Sequence, residues 1–330
     1  MCKRKYSIDY LKFIGIICLV LAHVQAPKFI EEIRGFDVPL MVFLSGILGA
    51  ESYKRSRSGY KYIVKRIGRL IIPTYIFLVV FYFCMWMVGK LPSWDIIMHS
   101  FLFQRDSGIV GYVWIIWIYV LCAVMTPVII YIKSIRKSKY IYIFLLVLYE
   151  VIANTGFLVE DRFFYYSFYS MIPYGLFLTI GILYQEMNRK SKMILAIGSL
   201  LLHFLYVMYL YTNVGSYVSI NEYKYPARFY FFSYSLPISI VLYEISNKLE
   251  NLARLPQSNI VLFASRHSLW IYLWHIFFLA IINYIIPINN WIIRFVVVFM
   301  MSFFMTWMQN FVFSGLQKKK QYNVYKYFLC

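Results

Sequence analysis

The stretch IDYLKFIGIICLVLAHV, residues 8–24, carries three ionisable side chains, Asp9, Lys12 and His23, in an otherwise apolar run. Such groups are costly inside a membrane-length segment and are kept mainly for function. On a helix of about 100° per residue, Asp9 and Lys12 share a face. From Lys12 to His23 is close to three full turns and roughly 16 Å of rise. The three therefore predict one polar stripe, whose ends are too far apart to touch but could line one channel. A cation at the first end suits an anion, and a histidine at the other suits proton transfer near neutral pH. A structural reading fits the same residues: Asp9 and Lys12 neutralise each other near the interface, Lys12 snorkels, and His23 marks the end of the span.

Other residues offer similar pairs of readings. Arg66 and Arg69 lie on one face at the start of the third apolar stretch, as topological anchors or as phosphate ligands, with Lys65 beside them. Glu150, in LVLYEVIAN, is an intramembrane carboxylate. It could orient His23 and stabilise its protonated form, as acids do in hydrolase triads; it could instead pair with an arginine or stay protonated. Asp37 competes for that role, since it opens the second stretch from the same side. Trp114 either stacks on a sugar or anchors at the interface. Ser45 and Gly46 read as helix packing rather than as a nucleophile. His275 reads as a structural histidine, His203 matches no motif, and His99 and His267 sit at span edges. The five cysteines include no CxxC pair, and no His/Asp/Glu cluster has zinc-ligand spacing.

What must position these residues follows from composition. The chain is 62% hydrophobic and only 14% charged, where a soluble domain is about half apolar and about a quarter charged. The expected fold is all-α and polytopic, because only helices or closed barrels span lipid and the apolar stretches lack barrel alternation. About ten spans are expected, near 8–25, 36–51, 71–88, 112–132, 140–156, 170–185, 193–211, 229–245, 268–286 and 291–313. The net charge of +19 does not point to nucleic acid. With both termini cytoplasmic, the basic clusters at 53–69, 133–139, 188–192 and 317–321 fall on the inner side, so the excess reads as topology, with a secondary role on anionic lipid or a phosphate ligand. The first span has a basic, signal-like start but no clean cleavage site, and is expected to stay uncleaved. The chain reads as one integral-membrane domain, 1–330, ending in a short basic tail, 314–330.

Five segments in order then resemble a known family, the integral-membrane acyltransferases called acyltransferase family 3, which includes O-acetyltransferases of surface polysaccharides. The opening helix resembles the family's first signature, a basic residue, ten residues, then histidine; here these are Lys12 and His23, with lysine where the family usually has arginine. FDVPLMVFLSG (36–46), KRIGRLIIP (65–73), VWIIWIYVLCAVMTP (113–127) and SLWIYLWHIFF (268–278) resemble the motifs that follow. Lysine keeps the charge but loses the planar fork that grips phosphate or carboxylate.

The resemblance implies a membrane-bound O-acyltransferase in the cytoplasmic membrane. It implies acetyl-CoA as donor and a hydroxyl of a cell-surface or lipid-linked glycan as acceptor, with polysaccharide-assembly proteins as candidate partners. The coenzyme's phosphates would lie near Lys12, Arg66 and Arg69 while its pantetheine arm runs toward His23. His23 would act as general base or, as a lesser alternative, carry the acyl group. A transporter or flippase of a glycan precursor, or a scaffold of an assembly complex, would use the same buried charges without a donor site.

Overall fold

The computed structural model describes residues 5–56, 58–105, 108–133, 144, 147–152, 162–225, 227–252, 256, 258–319 and 328. Among these, every regular element is a helix. The α-helices are α1 Tyr6–Leu21, α2 Lys28–Ile33, α3 Asp37–Ser56, α4 Gly59–Met87, α5 Trp94–Phe101, α6 Trp114–Lys133, α7 Arg162–Tyr184, α8 Arg189–Val214, α9 Phe229–Asn251, α10 Asn259–Arg266, α11 Ser268–Tyr284 and α12 Trp291–Lys319. Short 3-10 turns precede α3 (Arg34–Phe36), α6 (Gly108–Val113) and α9 (Ile220–Tyr223). Of the expected span 140–156, Phe144 and Val147–Ile152 are helical and the rest lies outside the described residues.

Among the described residues, five helical segments are long and apolar enough to cross a bilayer, and a sixth is made by α10 and α11 if that pair, bent by 80°, counts as one. The chain is a helical, multi-pass membrane protein. The span α8 shows the solvent it was built for: only 6% of its apolar window is buried inside the protein, so its leucines and methionines face outward, as suits a lipid-facing helix.

The chain falls into two compact units. The first comprises residues 1–11, 27–63 and 121–255. Its tightest contact is α3 on α7, where Gly46 and Gly181 meet. A Cβ on Gly46 would lie 2.4 Å from the Leu178 carbonyl oxygen, and one on Gly181 2.2 Å from that of Phe43. In lipid, close backbone approach replaces the hydrophobic drive between helices, so glycine is needed at this crossing. Helix packing is therefore what Gly46 does. The polar ties of this unit gather in two sets. One joins helix ends expected on the inner side: Lys133 with Glu186, Lys192 with Glu244 at 3.3 Å, and Gln185 with Glu51 at 3.4 Å. Glu250 adds to it by accepting from the Tyr6 and Ser7 N–H groups at 3.0 and 2.8 Å, which caps the start of α1. The other set joins ends expected outside: Asp37 with Arg34 and Lys224, and Glu32 with Tyr217 and Ser219.

The second unit comprises residues 12–26, 64–120 and 256–330. It packs α11 against α12, and the Gly108–Val113 turn against α11 and α5. Two elements differ from expectation. The opening helix stops at Leu21, and Ala22–Gln25 form turns. Lys12 and His23 therefore do not stand on one continuous helical face. Pro27 forces the residue before it out of the helical region, and Gln25 takes a left-handed φ of 59°, so the chain leaves the helix just where His23 sits. Conversely, α4 begins at Gly59, well before the expected start of the third span, and Arg66 and Arg69 lie inside it. Pro73 lacks an N–H, which leaves the Arg69 carbonyl without its usual helical donor.

Candidate functional site

His23 is half-buried at the end of the opening helix. Its Nδ1 lies 3.2 Å from Nε2 of His275, a residue with no exposed surface. Nδ1 of His275 meets the Tyr272 carbonyl one turn back on α11. The tautomers follow from these contacts. A carbonyl oxygen only accepts, so Nδ1 of His275 carries the proton, and a charged imidazole is expensive in full burial. The bare Nε2 of neutral His275 then accepts from Nδ1–H of His23. That makes Nε2 the unprotonated ring nitrogen of His23, the tautomer a general base requires.

Tyr272 supports the histidine twice. Its carbonyl fixes His275, and its hydroxyl donates to the Tyr112 carbonyl. The Tyr112 ring in turn packs on His23, with centroids 3.7 Å apart and planes 32° from parallel. Tyr112 is placed by a turn that tolerates no side chain before it: a Cβ on Gly111 would lie 2.1 Å from the Arg105 carbonyl oxygen. His23 is thus held on one face by an aromatic ring and at Nδ1 by a buried acceptor.

The other expected site residues have their own surroundings. Lys12 is half-buried on α1, and Trp114 is half-buried at the first position of α6. Arg66 is half-buried and Arg69 exposed on α4; among the described residues neither has an ion-pair or hydrogen-bonding side-chain partner. Asp37, fully buried in the first unit, is bound by the Arg34 guanidinium at 2.8 Å, by the Val38 N–H at 2.7 Å and by Lys224 at 3.9 Å. Glu150, also in the first unit, faces Arg228, accepts from the Phe229 N–H and has the Tyr206 hydroxyl at 3.5 Å. Glu150, Tyr206 and Arg228, with Tyr209, Asn213 and Tyr223, line a cavity of about 540 Å³. The carboxylates expected to orient a histidine are thus engaged with arginines, while His23 is oriented by His275, which sequence reasoning had as structural. The signal for it was the motif YLWH: Tyr272 and His275 stand one turn apart on one face.

Residues 5–308 match the family model described as an acyltransferase domain, acyltransferase family 3. The chain belongs to this acyltransferase family. The match spans both units, and it runs from the first helix, which carries Lys12 and His23, past His275 into α12. No curated protein and no solved structure matches the chain.

Proposed function

We propose that this acyltransferase family member moves an acetyl group from acetyl-CoA to a hydroxyl of a cell-surface or lipid-linked glycan. We place it in the cytoplasmic membrane with ten spans and both termini inside. The observation that carries the reading is the hydrogen-bonded series Tyr272 carbonyl, His275, His23, which fixes Nε2 of His23 as its unprotonated nitrogen.

Nε2 of His23 takes the acceptor hydroxyl proton as that oxygen bonds to the thioester carbonyl carbon. The tetrahedral intermediate collapses, the C–S bond breaks, and the coenzyme A sulfur leaves with the proton returned from His23. The products are the O-acetyl glycan and free coenzyme A. His275 stays neutral throughout and stabilises the transient imidazolium by accepting its Nδ1–H. The ungripped guanidiniums of Arg66 and Arg69 suit the coenzyme's phosphates, for which arginine gives paired, charge-assisted hydrogen bonds. Lys12, which shares the chain's first motif with His23, would hold the donor as a point charge.

Purified protein should turn over acetyl-CoA, and His23→Ala should reduce transfer by about 10²- to 10⁴-fold while the protein still folds. Wild-type transfer by well-expressed His23→Ala would remove His23 from the chemistry, and no acetyl-CoA turnover by the parent would leave a transporter of glycan precursors as the better reading. Arg69→Ala should weaken coenzyme A binding about tenfold, the loss expected of one charge-assisted hydrogen bond. Calorimetry in detergent checks this, and unchanged affinity would make Arg69 a topological anchor.

A further inference from the structure

Arg294 is a buried charge of the second unit that no carboxylate matches among the described residues. It stands in the first turn of α12 and is only 6% exposed. Its Nη1 donates to the Gln25 side-chain oxygen at 3.2 Å and its Nη2 to that of Asn283; Nε has no hydrogen-bond partner. Both acceptors are neutral amides, and no carboxylate reaches Arg294 among the described residues. The protein does match buried arginines elsewhere: Arg34, 8% exposed, is bound by the Asp37 carboxylate at 2.8 Å. Aspartate or glutamate at position 283 or 25 would have nearly the same shape as the amide and would cancel the charge. With amides there instead, the guanidinium is aimed but not neutralised. A buried charge without a counter-ion is costly, and the cost falls when an anion arrives.

Three observations put this charge beside the base. Gln25 follows His23 by two residues, and its left-handed backbone, rare away from glycine, turns its side chain to Arg294. Tyr112, whose ring covers His23, is close enough to Arg294 for electrostatic interaction. Gln25 and Asn283 are themselves exposed, so the guanidinium lies just under an open surface.

We propose that Arg294 is the anchor of an anionic group, a carboxylate or a phosphate, on the acceptor saccharide. The inference rests on the acyl-transfer reading for the word acceptor, and the geometry narrows the candidates. The donor end that reaches His23 is a thioester on a neutral pantetheine arm, so a fixed anion there belongs to the other substrate. Guanidinium donors left over from the two amide contacts can take two anion oxygens side by side. The acceptor class is then an acidic sugar or a sugar phosphate, bound with its charge on Arg294 and a hydroxyl at His23.

The test measures binding of D-glucuronate, glucose 1-phosphate and glucose to the full-length protein in detergent, by intrinsic fluorescence at matched ionic strength. Glucuronate, glucose 1-phosphate or both should bind at least about tenfold more tightly than glucose; which of them does so identifies the anion as carboxylate or phosphate. Arg294→Gln should abolish the preference and Arg294→Lys should retain part of it. Asn283→Asp, which keeps the arginine and the shape but supplies an internal counter-ion, should abolish it too, so the test survives if Arg294→Gln does not fold. No preference for charge in the parent protein, including no binding of any of the three, overturns the proposal, as does a preference that persists in Asn283→Asp. Acetyl-CoA turnover by the parent is followed in parallel. Charge preference without turnover removes the acyl-transfer reading and leaves the anion site standing; turnover without charge preference does the reverse.

Discussion

A histidine works as a base only when one ring nitrogen is kept bare and aimed, and in the proposed reaction that task falls to another histidine. His275 is the expected positioning residue: it touches His23, not the reacting atoms. Replacing it by alanine should lower kcat by about 10- to 100-fold, within the range for general-base catalysis, while the KM for acetyl-CoA stays near that of the parent. A packing role alone would lower the amount of folded protein and leave kcat per folded molecule unchanged. The pH profile gives a second readout. Transfer should fall as pH drops, because protonated His23 has no lone pair to offer. In His275→Asn, where a neutral side-chain acceptor remains, part of kcat should return. Tyr272→Phe keeps the carbonyl that fixes His275 and removes only the hydroxyl that ties Tyr112, so its effect should be the smaller one.

Among the elements, the pair α3 and α7 is the one whose contact has no slack. Gly46 and Gly181 let two backbones touch, and an added methyl on either would run into a carbonyl oxygen of the partner helix rather than into a movable side chain. Gly46→Val should therefore cost far more than a surface change. Small-to-large changes in packed interiors cost about 1–3 kcal/mol, occasionally more, and this one demands that a helix shift. The measurement is the midpoint of thermal unfolding in detergent, compared with Gly198→Val on the same footing. Gly198 has open space where its Cβ would be, so that variant should unfold near the parent. Equal losses in the two would show that the crossing is looser than its geometry.

For the molecule as a whole, the distribution of charge predicts orientation. Lys133, Glu186, Lys192, Glu244 and Glu250 tie helix ends that the basic loops predict on the inner side. His23, Tyr112 and Arg294 belong to ends expected on the opposite side. Reporter fusions after residue 60 should report the cytoplasm and fusions after residue 288 the outer side, following the bias of lysine and arginine toward inner loops. An external reading at residue 60 would invert the arrangement, and with it the direction from which donor and acceptor approach.

What the sequence determined by itself was whatever depends on composition and local order. Its apolar runs are too long and too free of charge for a soluble domain, which made the chain helical and membrane-spanning. The order of five short motifs led to the acyltransferase family before any coordinates, and the family match covers them. Helical periodicity was a poorer guide at the end of the opening helix, because the stop at Leu21 comes from Pro27 and from the left-handed Gln25, local effects that override an apolar pattern. Only the tertiary structure decided which residues meet. Glu150 and Asp37 looked suited to His23 because each is a carboxylate on the expected side, but Arg228 and Arg34 face them. His275 is far from His23 in sequence and brings no charge, so nothing in one-dimensional spacing ranked it first. It reaches His23 because α11 buries that face, and burial keeps its ring neutral and able to accept. Arg294 was hidden for the same reason. A lone arginine near a helix start is ordinary in a sequence; it becomes informative once its neighbours prove to be neutral amides, since a charge is unmatched only with respect to what surrounds it in space.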